Sequence, residues 1–562
     1  MFLQILSTFV ILISVLIFII YWKLIRPGKQ IYNILRAQGI PCEPFIPFLG
    51  QLPRLYQYRK QNKIMKFHEE LCTKHGSIFM FGLGIYPRLV IQDADLISDI
   101  LGRAHAQNYY KPIDLIFRLK PLIGLHNLLI SNGNEHERAR KMLNPGFHFE
   151  NLRSMVSIMT DHTIKTINEL LESREESINL QKELSLLTLT IIASSAFGEN
   201  FETIANAREI VCEAFIAALD AIVNRTLLLI DQIPLFSRLP FWGKDIVDRG
   251  CEKALNFVES IIADRKQGRT KNICQRADIL DLLLQAVDSH GKHFTDEEIR
   301  QEAMVFVLAG HQSTGDLMAW IMYVLMTNPS VLSACRDEVD RVLPNGMIPT
   351  YEILNDLNIC ESVIYETLRL YPPIPFFVRQ CIREHVISSP NQQFSIPVDA
   401  TILINTYLIH RQPKYWSRPL EFDYTRWMRD PITGLRSKLA HPYCYLPFAA
   451  GSRNCIGQNF ALLEAKVILA MFVQRCNFEL QPKNQDITMD IRITMRSKFG
   501  LFTIIEFIDK NSGSSIVAKK MALLLEAKYL TFSDQQIAQY FNTHENEVRG
   551  SCELNIIHSF IK

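Results

Sequence analysis

The chain lacks an excess of either charge: 60 Lys and Arg against 58 Asp and Glu leave a formal net charge of +2 over 562 residues. The electrostatic footprint of a nucleic-acid binder is therefore missing. It has no CxxC pair, and its twelve cysteines stand singly between Cys42 and Cys552, a pattern that suits reduced thiols and not a small disulfide framework. There is no internal repeat, no low-complexity tract and no long charge block, so neither a solenoid nor a biased linker chain is written here. No GxGxxG follows a strand-like run, which removes the usual dinucleotide fingerprint. What is present is 48% hydrophobic and 10% aromatic residues, enough for one large core able to enclose a cofactor.

Residues 2–22 carry no charge and only Gln4, Ser7, Thr8 and Ser14 as polar interruptions. At about 1.5 Å per residue such a run crosses a bilayer core of roughly 30 Å, so 1–22 reads as a transmembrane anchor. A cleaved signal peptide would want basic residues ahead of the run, and none is there. Lys23, Arg26, Lys29 and Arg36 follow it, which by the positive-inside rule keeps the body of the chain cytosolic. Residues 23–50 are basic and then proline-rich, with Pro41, Pro44 and Pro47 predicting a stiff, extended hinge between membrane and globule.

The middle of the chain is helical in pattern. Residues 206–223 and 245–265 are amphipathic, and the apolar interlude at 227–242, broken by Pro234 and Pro240, suits either a second membrane contact or buried packing. Thr295 with Glu298 has capping-box spacing and opens a run without proline until Pro329, predicting one helix of almost 50 Å. At its middle, Ala309-Gly310-His311-Gln312-Ser313-Thr314 offers small residues for close approach of a ligand, followed by two hydroxyls.

Near the C-terminal end stands Phe448-Ala449-Ala450-Gly451-Ser452-Arg453-Asn454-Cys455-Ile456-Gly457. A thiolate that must reach an iron from a short loop needs glycines for a tight backbone, a nearby cation and backbone N–H groups aimed at the sulfur. This segment resembles the haem-ligand loop of the cytochrome P450 family. The resemblance implies Cys455 as proximal ligand of haem b, Gly451 and Gly457 for turn geometry, Arg453 on a propionate and Phe448 shielding the sulfur. It also implies a mainly α fold with smaller β-sheets (α+β), with residues 51–507 as the catalytic domain. Residues 508–562 match nothing in that family; 512–515 suits a linker and 518–529 a short amphipathic helix.

Other motifs take their meaning from the same resemblance. The central-helix segment matches the oxygen-binding stretch, with Ala309 and Gly310 against the haem and Gln312, Ser313 and Thr314 as the catalytic group. The family places an acid and then threonine after the glycine; here Gln312 and Ser313 stand instead, and an amide orients water without titrating. Ser313 can serve as the relay hydroxyl or be bonded back within its helix. Ala309 removes the Glu by which the fatty-acid omega-hydroxylase branch esterifies its haem. Glu366 and Arg369 form an ExxR pair expected to join Arg426 in a structural triad. His136 and Arg140, where the family has Trp and Arg four apart, and Arg379 after the Pro372-Pro373 turn are further candidates for the propionates; for the first two a plain surface helix is the alternative. Phe376 and Phe377 are expected to face the substrate.

The implied activity is insertion of one atom of dioxygen into a hydrophobic substrate: fatty acid, sterol, terpenoid or xenobiotic. Electrons would come from NADPH through the membrane-bound cytochrome P450 reductase, with cytochrome b5 as an additional donor, at the endoplasmic reticulum membrane. Arg138, Arg140 and Lys141 form the expected docking patch. Residues 109–129, 304–308 and 374–377 are the expected specificity segments. A same-fold hydroperoxide isomerase needing no reductase and a non-catalytic haem or lipid binder remain the alternatives.

Overall fold

The computed structural model describes residues 2–173, 176–198, 216–226, 239, 243–269, 278–485 and 487–508. Helix α1 (Phe2–Ile20) has exposed apolar side chains all round, passes through a π-helical turn (Tyr21–Ile25) and continues as α2 (Arg26–Ala37). Gln4–Ala37 is the helical stretch, among the described residues, long and apolar enough to cross a bilayer, with none of its apolar window buried in protein. The expected boundary at residue 22 is therefore not a helix end. Pro27, whose missing N–H is tolerated in a first turn, starts α2, and an added Cβ on Gly28 would lie 2.6 Å from the Ile85 carbonyl, seating α2 against the body.

The proline segment is no free hinge either. Met80 donates its N–H to Pro41 and Glu43 donates to Met80, each at 2.9 Å, fastening the segment along β1 (Ile78–Leu83). Burial raises the Glu43 carboxyl, but Lys74 at 2.6 Å and His75 at 2.8 Å outweigh it and hold the group below the usual carboxylate range. Prolines here remove donors at the margin of a sheet, where donors are dispensable.

β1 begins a five-stranded sheet with β2 (Tyr86–Ile91), β3 (Tyr109–Tyr110), β4 (Phe376–Cys381) and β5 (Thr401–Asn405), ordered β1-β2-β5-β4-β3. β5 lies at the centre, parallel to β2 and antiparallel to β4, and every one of its residues is buried. That is why its sequence is an almost unbroken apolar run after the left-handed turn at Asp399 (φ 67°). The register sets Tyr110 opposite Gln380 and Arg379 opposite Ile402, which brings the residues after β3 beside Arg379.

The helices that carry the site are α3 (Ala94–Leu101), α4 (Gly133–Leu143), α5 (Leu180–Phe197), α6 (Ile216–Thr226), α7 (Lys244–Lys266), α8 (Asp296–Thr327), α9 (Asn358–Leu370) and α10 (Gln458–Arg475). α8 starts at the expected capping box: Glu298 donates its N–H to Thr295 Oγ1 at 3.2 Å and its carboxylate accepts the Thr295 N–H at 2.7 Å. Its apolar positions lie all round and are buried, so it is a core helix. α4 to α8 meet in one apolar cluster, and a second cluster gathers around the sheet.

The predicted helix 245–265 is α7, whereas of 206–223 only the part within α6 is described. Residues 206–215, almost all of the 227–242 interlude, and 509–562 lie outside the described residues. The chain through Gln474 together with Phe478–Ile505 is one compact unit; Arg475–Asn477 and the chain from Glu506 onward group as a second. Every cysteine among the described residues is unbridged.

Candidate haem site

The loop that carries Cys455 is built by its backbone. Cys455 donates its N–H to Phe448 at 3.0 Å, Ala449 to Leu446 at 3.1 Å and Asn454 to Gly451 at 3.1 Å, so the chain folds back on itself around the sulfur. Gly451 is left-handed (φ 76°), and a Cβ there would overlap the Leu101 carbonyl at the end of α3. Ala449 is left-handed without being glycine (φ 57°), a conformation that costs roughly 1–2 kcal/mol and persists only where neighbours enforce it. Burial raises the Cys455 thiol, while the Gly457 N–H and the Arg140 charge pull it down. Cys455 nevertheless keeps accessible surface. Phe448 is half-buried, and its defined part in the loop is the carbonyl that receives the Cys455 amide.

Arg140 reaches the loop that carries Cys455. Its guanidinium donates to the Asn454 carbonyl at 2.6 Å, to Asn454 Oδ1 at 2.9 Å and to Asn144 Oδ1 at 3.0 Å, so α4 clamps the residue next to Cys455. The other two basic residues of this segment have acidic partners within the chain. Arg138 is held by Asp288 and Glu298, both at 2.7 Å, and the exposed Lys141 pairs with Glu137 at 2.9 Å.

Arg379 and Arg453 do come together, with His136 and with Lys111, which the sequence did not single out. Burial, reinforced by Arg453, pushes Arg379 down to about 10, and burial pushes Arg453 down to about 10. Lys111 is driven well below its ordinary value by burial and then by those two arginines. His136, 7% exposed, is pushed to about 3 by burial and by Arg453, Arg140, Lys111 and Arg379, so it is neutral and keeps one N–H to give. Asn132 organises the group, its Oδ1 accepting from the Lys111 N–H and from Arg453 Nη2, each at 2.9 Å. Arg453 Nη1 is buried with no partner. Arg379 is buried and Lys111 and Arg453 are half-buried, and among the described residues none of the three has a carboxylate as hydrogen-bond partner.

On α8, Ala309 is exposed and Ser313, one turn later on the same face, is half-buried, although the turns around them are buried. The Ser313 hydroxyl donates to the Ala309 carbonyl at 2.6 Å, so the back-bonded arrangement is the one observed, on the accessible face. Gly310 serves a different purpose from the expected one: a Cβ there would meet Ile192 of α5 at 2.6 Å, and Gly315 meets Ser185 at 2.9 Å, so these glycines let two helices close up. Gln312 and Thr314 are buried and lie one position off the Ala309–Ser313 face. Thr314 stands beside the fully buried Glu464 of α10, whose carboxyl burial raises well above its ordinary value; neither carboxyl oxygen makes a full hydrogen bond. Phe147 joins the two walls, stacking on Phe306 of α8 at 5.7 Å and reaching within 3.8 Å of a Cβ position on Gly457.

The segment 304–308 is packed core and not an open lining. Phe376 and Phe377 go to different clusters, as alternate residues of a strand must; Phe377 lies under the Arg379 guanidinium at 5.0 Å.

The expected triad forms in full. Glu366 and Arg369 are completely buried and paired at 2.8 and 2.9 Å, and Arg426 reaches Glu366 at 3.3 Å. Trp427 and the Asp423 N–H complete the carboxylate at 2.8 and 2.9 Å, and Arg369 caps the carbonyls of His410, Pro419 and Glu421 at 2.6–2.9 Å. Trp427, adjacent to Arg426, was legible as a neighbour but not as a ligand of Glu366.

The donor set fits a haem: a thiol presented from a tight loop, an accessible strip of helix bearing Ala309 and Ser313, and a cation group with an unpaired guanidinium N–H suited to two propionate carboxylates. The sequence pattern of the family described as Cytochrome P450 matches residues 40–503. Cytochrome P450 4A6 of Oryctolagus cuniculus is 30% identical over 485 residues, covering 83% of this chain and 90% of the relative. Cytochrome P450 4V2 of Rattus norvegicus is 29% identical, with 86% and 90% covered, and cytochrome P450 4X1 of Homo sapiens is 28% identical, with 82% and 89% covered. The chain belongs to the cytochrome P450 family and is a haem b monooxygenase.

Proposed function

We propose that Cys455 is the axial thiolate, that the propionates are received by Arg379, Arg453, Lys111 and His136, and that electrons arrive from NADPH-cytochrome P450 reductase. The enzyme inserts one oxygen atom into a hydrophobic substrate, a fatty acid, sterol, terpenoid or xenobiotic. It is anchored by its N-terminal helix in the endoplasmic reticulum membrane, with the basic residues Lys23, Arg26 and Lys29 on the cytosolic side. The observation that carries this reading is the presence in one chain of a sulfur that meets the Gly457 N–H and a basic group around Arg379 that has no carboxylate partner among the described residues.

Haem held by Cys455 would supply the iron for dioxygen activation, and a thiolate there would donate the electron density that favours O–O cleavage. The chain's residues do the rest. The 446–457 turns fix the sulfur, Arg140 holds Asn454 against it, and the cation group orients the cofactor edge. Ser313 is the hydroxyl on the accessible face, able to hold a water or pass a proton there. Gln312 does not titrate, and burial raises the carboxyl of Glu464, behind Thr314, well above its ordinary value.

The test is the spectrum of the dithionite-reduced, carbon-monoxide-bound protein, for wild type and Cys455→Ala, followed by substrate-dependent oxygen uptake with reductase. A red-shifted Soret band that vanishes in the variant supports the assignment. A wild-type band at the place of a His-ligated haem refutes it, and turnover of a fatty-acid hydroperoxide without NADPH would move the chain to the isomerase class.

A further inference from the structure

His410 follows β5 and the single helical turn Thr406–Ile409, and it is fully buried. Its two ring nitrogens serve two different parts of the site. Nδ1 lies 3.2 Å from the carbonyl oxygen of Arg369, and Nε2 lies 2.7 Å from the amide nitrogen of Leu446. A carbonyl only accepts and an amide N–H only donates, so these partners assign the ring as the Nδ1–H tautomer with an Nε2 lone pair. Burial, with Arg411 and Arg369, pushes the imidazole to about 3, so the ring stays neutral at working pH.

From both nitrogens the chain of bonds continues. On one side Arg369 pairs with Glu366 and returns Nη1 to the His410 carbonyl at 2.9 Å. On the other, the Leu446 carbonyl receives the Ala449 N–H across the turn that forces Ala449 left-handed, and Phe448 in that turn receives the Cys455 N–H at 3.0 Å. A strained turn needs outside restraint, and the imidazole supplies it at the first residue of the turn. The Tyr445 ring, 5.2 Å away, packs on the imidazole.

We propose that His410 is a positioning residue for the Cys455 sulfur, tying the 446–449 turn to the buried Glu366–Arg369 pair through its neutral imidazole. This rests on the reading of Cys455 as the axial thiolate. Without the Nε2 acceptor, Leu446 keeps a buried N–H with no partner, the turn relaxes, and the sulfur leaves its bonding position more readily.

The experiment uses the full-length, haem-loaded protein as wild type, His410→Phe, His410→Gln and Cys455→Ala. It follows loss of the red-shifted reduced carbon-monoxide band in mild urea, with haem content and far-UV circular dichroism recorded in parallel. His410→Phe fills the ring's space without an acceptor, and it is expected to lose the band roughly tenfold faster than wild type while its helical signal holds. His410→Gln, with one acceptor and one donor, is expected to stay within about threefold of wild type. A His410→Phe rate equal to wild type, or band and helical signal lost together at one rate, overturns the proposal. Should His410→Phe not fold, His410→Asn replaces it, too short to span both partners; equal rates for Asn and Gln then overturn the proposal. A wild type without the red-shifted band overturns the Cys455 assignment and the proposal together, which separates that failure from one confined to His410.

Discussion

Two buried charge groups serve the site, and they are built in opposite ways. Glu366, Arg369 and Arg426 form a closed set in which the carboxylate is met by two guanidiniums, an indole N–H and a backbone N–H. Lys111, Arg379 and Arg453 form an open set: basic, half-buried or buried, and without a carboxylate partner among the described residues, with Arg453 Nη1 unpaired. A closed group is complete when the chain has folded and serves to brace it. An open group is unfavourable in the folded chain alone and becomes favourable when an anion enters. Burial by itself therefore does not tell structure from function; the charge balance inside the buried group does.

The comparison breaks most sharply at the sulfur it serves. Cys455→Ala is expected to abolish the red-shifted carbon-monoxide band and all monooxygenase turnover, read by spectrum and product assay. Next, opening the closed set by Glu366→Gln strands Arg369 and Arg426 and should destabilise the fold by about 3–5 kcal/mol, seen as a lowered urea midpoint with or without haem. The open set should answer with the opposite sign. Arg453→Gln is expected to leave the haem-free protein equally or more stable, but to weaken haem retention roughly tenfold or more, measured by haem transfer to apomyoglobin. Loss of stability in the haem-free protein would erase the distinction between the two groups.

On the opposite wall, Ser313→Ala should keep haem content and spectrum but divert roughly tenfold more oxygen uptake to peroxide, the effect of removing one proton-handling hydroxyl. The mildest expected effect is on pH dependence. His68 and His311 are held near 4 by burial, His136 near 3 by burial and the cations beside it, and His410 near 3 by burial with Arg411 and Arg369. Their stabilisation is complete above the unfolded value of about 6.5 and is lost as pH falls towards 3–4, by about 1.4 kcal/mol per pH unit for each. Asp316 near 7 and Glu302 near 8 are raised by burial, so their contribution is complete below about 4 and is lost as pH rises through 7–8. The urea midpoint should therefore peak near neutrality, and Glu302→Gln should flatten the alkaline limb.

Much of this was legible in the sequence because it is local. The capping box at Thr295 and Glu298, the left-handed Gly451 turn that Asn454 closes and the Glu366–Arg369 spacing each rest on geometry within a few residues, and each is found where expected. Errors arose where long-range packing decides. The glycine at 310 reads as room for a ligand until α5 is seen against it. Nothing near Arg140 in sequence records that its guanidinium holds Asn454, 314 positions away. The proline segment reads as a hinge until Met80 is found bonded to it.

The sequence by itself determined the chemistry of this protein: an apolar N-terminal helix, one thiol in a glycine-framed loop, a long core helix and an ExxR pair, all set by residue type and short spacing. Only the tertiary structure decided which cations meet a carboxylate and which do not, that Lys111 and Asn132 join Arg379 and Arg453, and that His410 stands between the ion pair and the turn ahead of Cys455. The physical reason is that charge balance and hydrogen-bond satisfaction belong to groups brought together across hundreds of residues, and no local pattern records which partner each one meets.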